Sequence, residues 1–107
     1  MKYKDVKGNE IEGHLDIFVS SNADEILIHG NPEGLKSLAK LLIEIAELNQ
    51  EDVEDKFLPI GASEHFHLRP NFELSKSSVE VIVGRLDAKG INNFYERYIP
   101  NDKNKPR

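Results

Sequence analysis

The chain contains no cysteine and no tryptophan, a single methionine, and only five prolines and seven glycines among 107 residues. Without cysteine there is no disulfide, no thiolate nucleophile and no cysteine-ligated zinc, and such usage suits a reducing compartment. No apolar run approaches the roughly 18 residues that a membrane helix needs. The charged start Met1-Lys-Tyr-Lys-Asp lacks the apolar stretch of a signal peptide, so the expected compartment is the cytoplasm, with no membrane partner. Low-complexity tracts and internal repeats are absent. The balance of 31% charged to 38% hydrophobic residues predicts one folded domain over residues 1–100, followed by a flexible basic tail at 101–107.

Positive charge is also scarce. The formal net charge is −5, and Lys103, Lys105 and Arg107 are concentrated in the tail, so the body of the domain is more acidic still. An acidic body cannot displace counterions from a phosphate backbone, which argues against direct nucleic-acid binding. It suits a basic protein partner instead.

Alternation of apolar and polar residues predicts strands at His14 to Ser20 and Glu25 to His29, joined through the turn formers Ser20-Ser21-Asn22-Ala23-Asp24. A further N-terminal strand pair around Gly8-Asn9 is also expected. Asn31 as N-cap, Pro32 at the first helical position and Glu33 beside the positive helix end predict a helix start. Leu35, Leu38, Ala39, Leu42, Ile45, Ala46 and Leu48 continue as an apolar stripe at helical spacing, fraying near Asn49. Strands follow at Glu64 to Arg69 and Val79 to Leu86, then a short C-terminal helix carrying Phe94, Tyr95 and Tyr98. The predicted fold is α+β: a two-layer domain in which one main helix covers one face of a mostly antiparallel sheet of at least four strands, in the order ββαββ.

One helix covers one face, so the other face of the sheet is left open. Strand parity assigns Leu15, Ile17, Val19, Ile26, Ile28, Phe66, Leu68, Val79, Val81 and Val83 to the helix side. The open side receives His14, Asp16, Phe18, Leu27, His29, His65, His67, Arg69, Glu80 and Ile82. Phe18, Leu27 and Ile82 then form an apolar centre within a histidine-rich surround, the layout of an interface. The competing arrangement folds Phe94, Tyr95, Tyr98 and Ile99 back over this face.

His65-Phe66-His67 is the sharpest chemical feature, because a strand presents both imidazoles on one side, where they can ligate a metal. Two ligands do not complete a site, so no metal and no cofactor is assigned; a metal-binding protein or metal-dependent enzyme using His65 and His67 is kept as an alternative. Ser63, Ser75, Ser77 and Ser78 lack the strand–turn–helix elbow of a serine nucleophile. Gly30-Asn-Pro-Glu-Gly34 lies where phosphate loops sit, but Pro32 has no N–H to offer and Glu33 repels an anion. Glu44, Glu47, Glu51, Asp52, Glu54 and Asp55 form an acidic run without an intervening base. Its ordinary reading is a solvated helix end. Carboxylates there oppose the helix dipole, however, which invites a compensating cation, and a basic partner would supply one.

Three segments carry a family resemblance: Ile28-His-Gly-Asn-Pro-Glu-Gly-Leu-Lys-Ser-Leu-Ala-Lys-Leu-Leu42, His65-Phe-His-Leu68 and Ser77-Ser-Val-Glu-Val-Ile-Val83. Together they resemble immunity protein family thirty-two of bacterial polymorphic toxin systems, over roughly residues 14 to 86. The resemblance implies an α+β protein encoded beside a toxin, often a nuclease, that binds the toxin and protects the producing cell. It implies an inhibitor with no catalytic residues, and the family's His-x-His-Leu pattern falls on His65, His67 and Leu68. The expected toxin contacts are the acids Glu44, Glu47, Glu51, Asp52, Glu54 and Asp55, or the open face with Phe18, Leu27, Ile82, His29, His65 and His67. A homodimer through the open face is the remaining reading.

Overall fold

In the computed structural model, residues 11–91, 94 and 96–101 are described. Two short strands, β1 (Leu15–Val19) and β2 (Ile26–Gly30), form an antiparallel hairpin with Ile17 opposite Ile28 and Phe18 opposite Leu27. The turn between them closes through the Ser20 amide, which donates to Glu25 O at 2.9 Å, and through Ala23, which takes a left-handed φ of 60°. Helix α1 (Pro32–Glu47) follows at once. Asn31 caps it as its sequence predicts, the side-chain oxygen accepting from the Gly34 amide at 2.8 Å. A single 3-10 turn (Gln50–Asp52) and a long connection lead to β3 (His65–Leu68), which pairs antiparallel with β4 (Val81–Gly84). None of the described helices is long and apolar enough to cross a membrane.

The strands make two two-stranded sheets, not the single four-stranded sheet expected. The reason lies in Ser75 to Val79, which runs along the free side of β1. The amides of Ser75 and Val79 donate to Leu15 O and Ile17 O at 2.8 and 2.9 Å. The returning bond is made by a side chain, for the Ile17 amide donates to Ser78 Oγ at 3.0 Å. A serine hydroxyl thus replaces a ladder carbonyl, and regular pairing resumes only at Val81.

Leu15 and Ile17 from β1, Phe66 and Leu68 from β3, Leu41 and Ile45 from α1, and Leu74 form one buried cluster, with Val81 and Val83 packed against it. Val19, Ile26, Ile28 and Val79, which parity puts on the same side, stay exposed because the helix seat does not reach along β2 or to the strand ends. Leu15, Leu41 and Leu68 are completely enclosed, and each such burial contributes roughly 1.5–3 kcal/mol relative to exposure. The helix is rotated from the expected stripe. Gly34, Leu41 and Ile45 are its buried residues, whereas Leu35 and Leu42 remain 43% and 41% exposed. The apolar arc of α1 is wider than its seat on the sheet, and the seat is set by where the chain enters the helix. There the His14 backbone crosses directly over Gly34.

At its C-terminal end α1 has no basic residue in the last turn, yet two of the carbonyls there find a cationic donor. Arg85, just past β4, donates through Nη1 to Ile45 O at 2.9 Å and Leu48 O at 2.7 Å, while Nε and Nη2 grip Asp87 at 2.8 and 2.7 Å. The cation that the acidic helix end calls for is therefore supplied by the chain itself, from a distant strand. Of the C-terminal segment expected to be helical, residues 96 and 97 form only a turn and Phe94 packs edge-on to Tyr98 at 5.4 Å; Tyr95 lies outside the described residues. Of the N-terminal strand pair expected around Gly8-Asn9, residues 1–10 lie outside the described residues, as does most of the basic tail, and Ile11 and Glu12 are not in a strand.

Candidate functional site

With Leu15, Ile17, Phe66 and Leu68 turned into one core, the alternate residues of β1 and β3 face away from it. Asp16 lies opposite His29 and Phe18 opposite Leu27. His65 lies opposite Gly84 and His67 opposite Ile82. Within each strand pair, Asp16, Phe18, Leu27 and His29 share one side, as do His65, His67 and Ile82, and Phe18 and Leu27 are half-buried there. Ile82 is 60% exposed, and Phe94 and Ile99 are exposed themselves, so the described part of the C-terminal segment leaves Ile82 open.

Ring contacts order the face. Phe18 meets His29 edge-on at 5.4 Å, and His65 meets His67 edge-on at 5.2 Å. His67 Nδ1 lies 3.7 Å from Glu80 Oε1 on the surface. His14 precedes β1, and its amide and carbonyl are taken by Asn31, at 3.0 and 3.2 Å. Among the described residues no three His, Asp or Glu side chains gather in a group able to hold a metal ion. The His65–His67 pair thus has no third protein ligand there.

Two anchors at this face escape a motif search. Asp16 Oδ1 accepts from Ser75, Ser77 and Ser78 hydroxyls at 2.8, 2.9 and 3.1 Å, tying β1 to the segment that leads into β4. Beyond β3, the Arg69 guanidinium lies 4.5 Å over the exposed Phe72 ring and pairs with the buried Glu73 at 3.2 Å. The only sequence signal for the first was the serine density of Ser75-Lys-Ser-Ser78, and for the second a cation three residues before an exposed ring.

Three carboxyls are held below their ordinary range. The Ser75 hydroxyl is the largest cause at Asp16, with Ser77 and Ser78 adding to it. Burial pushes Glu73 upward, but the side-chain and backbone hydrogen bonds from Arg69 and its charge outweigh that and lower it. At Asp87 the hydrogen bonds from Arg85 lead, with Gln50 contributing. A carboxyl lowered in the native state stabilises the fold fully above its unfolded pKa, and that stabilisation disappears as pH falls through the native value. The urea midpoint is therefore expected to hold steady from neutral pH to about 5 and to drop steeply below about 4, where free carboxylates begin to protonate. Asp16→Asn should show a shallower drop; a wild-type midpoint that does not change down to pH 3 would contradict the assignment.

The acidic run is largely engaged within the chain. Asp55 pairs with Lys89 at 2.7 Å. Glu51 Oε2 accepts from the Gly90 amide at 2.7 Å, and Asp52 Oδ2 accepts from Asn49 Nδ2 at 2.9 Å. Glu54 meets Lys56 at 3.4 Å on the surface. Glu44 and Glu47 belong to α1 itself, in the layer opposite the open face. Lys89 and Arg85, which organise this region, stand outside any motif; the missing cation at the helix end was the one sign of them.

The fold is that of a small α+β domain with one main helix and two antiparallel strand pairs. The profile of the Immunity protein 32 family matches residues 25–86, more than half of the chain, and the protein belongs to that family. The match runs from β2 through β4 and takes in His65, His67 and Arg85, while β1 and Lys89 lie outside it. No curated protein and no solved structure matches the chain.

Proposed function

We propose that this immunity protein binds a cognate toxin of a bacterial polymorphic toxin system in the cytoplasm and neutralises it by occlusion, using the open sheet face. The observation that carries this reading is Ile82, 60% exposed in the middle of a strand and flanked across the ladder by His67. An exposed aliphatic side chain beside half-buried Phe18 and Leu27, within a polar, imidazole-rich surround, fits the centre of a protein contact. Phe18, Leu27 and Ile82 act as apolar anchors, with His29, His65 and His67 around them.

The net charge of −5 fits a basic toxin such as a nuclease, which must itself be positive to hold phosphates. Because Glu51 and Asp55 are engaged in holding the connection after α1, the charge acts by steering approach rather than as the docked surface. Glu44, Glu47 and Glu54 contribute to that field.

The test is affinity for the toxin domain encoded beside this protein. Ile82→Glu is expected to weaken binding at least tenfold, mainly through faster dissociation, with the melting temperature retained. Glu44→Lys with Glu47→Lys should slow association at low salt and lose that effect at high salt. Unchanged affinity in Ile82→Glu and His67→Ala would remove the open face from the contact.

A further inference from the structure

We infer that a second copy of this chain pairs with the outer edge of β2, antiparallel and with Leu27 on the two-fold axis. The inference does not rest on toxin binding. Among the described residues β2 has β1 as its single strand neighbour. The β1–β2 ladder is bracketed by Ser20 N to Glu25 O and Asn31 N to His14 O. Backbone groups alternate sides along a strand, so those of Glu25, Leu27 and His29 point to β1 and those of Ile26 and Ile28 point outward.

Among the described residues no further strand covers this edge. It contains no proline and no lysine, and its outward residues, Ile26 and Ile28, are 70% and 52% exposed. Both lie on the face shared with the buried Ile17. Leu35 continues that face, since its Cγ would lie 3.1 Å from a Cβ built on Gly30 at the end of β2. Leu42 follows two turns along the helix.

The strand sequence Glu25-Ile-Leu-Ile-His29 identifies the occupant, because it is complementary to itself when reversed. With Leu27 opposite Leu27 of the second copy, Ile26 meets Ile28, and Glu25 meets His29, once on each side of the axis. Outward backbone groups then oppose outward groups, as an antiparallel ladder requires. Shifting the register by two residues puts Leu27 opposite His29 or Glu25, and Glu25 loses its basic counterpart. Only the Leu27-centred register satisfies both the charge and the apolar pairs.

The absence of native cysteine allows a direct test on the full chain. Sedimentation equilibrium should show mass rising with concentration towards twice 12.2 kDa, and Ile28→Lys should weaken dimerisation at least tenfold with an unchanged circular dichroism spectrum. Leu27→Cys should form a disulfide-linked dimer rapidly under copper phenanthroline, because residues facing each other at a non-hydrogen-bonded position have Cα atoms about 4.5 Å apart, within disulfide reach. Ile26→Cys should not, although residue 26 is the more exposed, because it opposes residue 28 of the other copy. A wild-type chain that stays monomeric at all concentrations, or Ile26→Cys cross-linking as fast as Leu27→Cys, overturns the proposal. So does a monomeric chain whose Ile28→Lys variant loses toxin binding, since that outcome assigns the edge to the toxin.

Discussion

Gly34→Ala is expected to destabilise the protein by about 3 kcal/mol, at the upper end of ordinary overpacking costs, even though alanine is the better helix former by about 1 kcal/mol. A Cβ at this position would lie 2.1 Å from His14 O, 2.7 Å from His14 C and 2.9 Å from His14 N. All three are backbone atoms, so no side-chain rotation relieves the overlap. Nor does His14 have room to retreat. Its amide donates to Asn31 Oδ1 at 3.0 Å and its carbonyl accepts from the Asn31 amide at 3.2 Å, and Gly13 before it holds a left-handed φ of 82°. Moving His14 aside means breaking the bonds that tie the entry of β1 to the cap of α1. A urea melt measures the effect; a variant as stable as wild type, or more stable, would mean that the chain does not cross the helix there.

The same crossing explains why a loop placed like a phosphate site is not one. In Gly30-Asn-Pro-Glu-Gly34 the Gly34 amide is already bonded to Asn31, and the space in front of it holds the His14 backbone. The objections visible in the sequence, Pro32 and Glu33, were correct and incomplete. An anion would meet peptide before it met charge.

What could be read in advance was local. Asn31 as cap, Pro32 as first helical residue, the β1–β2 hairpin and the two faces of β3 follow from single residues and from period-two alternation, which act within a few positions. That Asp16 shares a face with His29, and His67 with Ile82, follows from the same parity; that they stand directly opposite is set by the register. What escaped was decided across the chain. Whether four strands close into one sheet turns on Ser78 displacing a carbonyl at Ile17, sixty-one positions away along the sequence. The rotation of α1 turns on Gly13 and His14. The cation for the acidic helix end is Arg85, and no periodicity announces a guanidinium that reaches Ile45 and Leu48. The acidic run shows the cost of reading charge without partners. Four of its six members, Glu51, Asp52, Glu54 and Asp55, have partners inside the chain.

Lys89→Met should destabilise the protein by about 3 kcal/mol, mostly through carbonyls left without a donor. Lys89 is 5% exposed, and its ammonium gives its donors to Val53 O, to Leu58 O at 2.9 Å and to Asp55 Oδ1 at 2.7 Å. Methionine fills similar space and donates nothing. The two carbonyls belong to residues that are themselves buried, Val53 and Leu58, and each unpaired buried acceptor costs about 1–3 kcal/mol. Asp55 is different, for its side chain is 72% exposed and regains water when the ammonium is gone. Asp55→Asn is therefore expected to cost under about 1 kcal/mol, the ordinary range of an exposed pair. Comparing the two variants separates the carbonyls from the ion pair: equal losses would assign the role to the charge, and a small loss in Lys89→Met would refute the latch altogether. The latch also has a spatial signature. The Lys89 amide donates to Ala62 O and its carbonyl accepts from Gly61, while Gly90 holds Glu51, so the connection from Gln50 to Ala62 is fastened along the turn at 88–91. In Lys89→Met, amide hydrogen exchange should accelerate across that connection and leave the β1–β2 hairpin protected, because the hairpin shares no hydrogen bond with the latch.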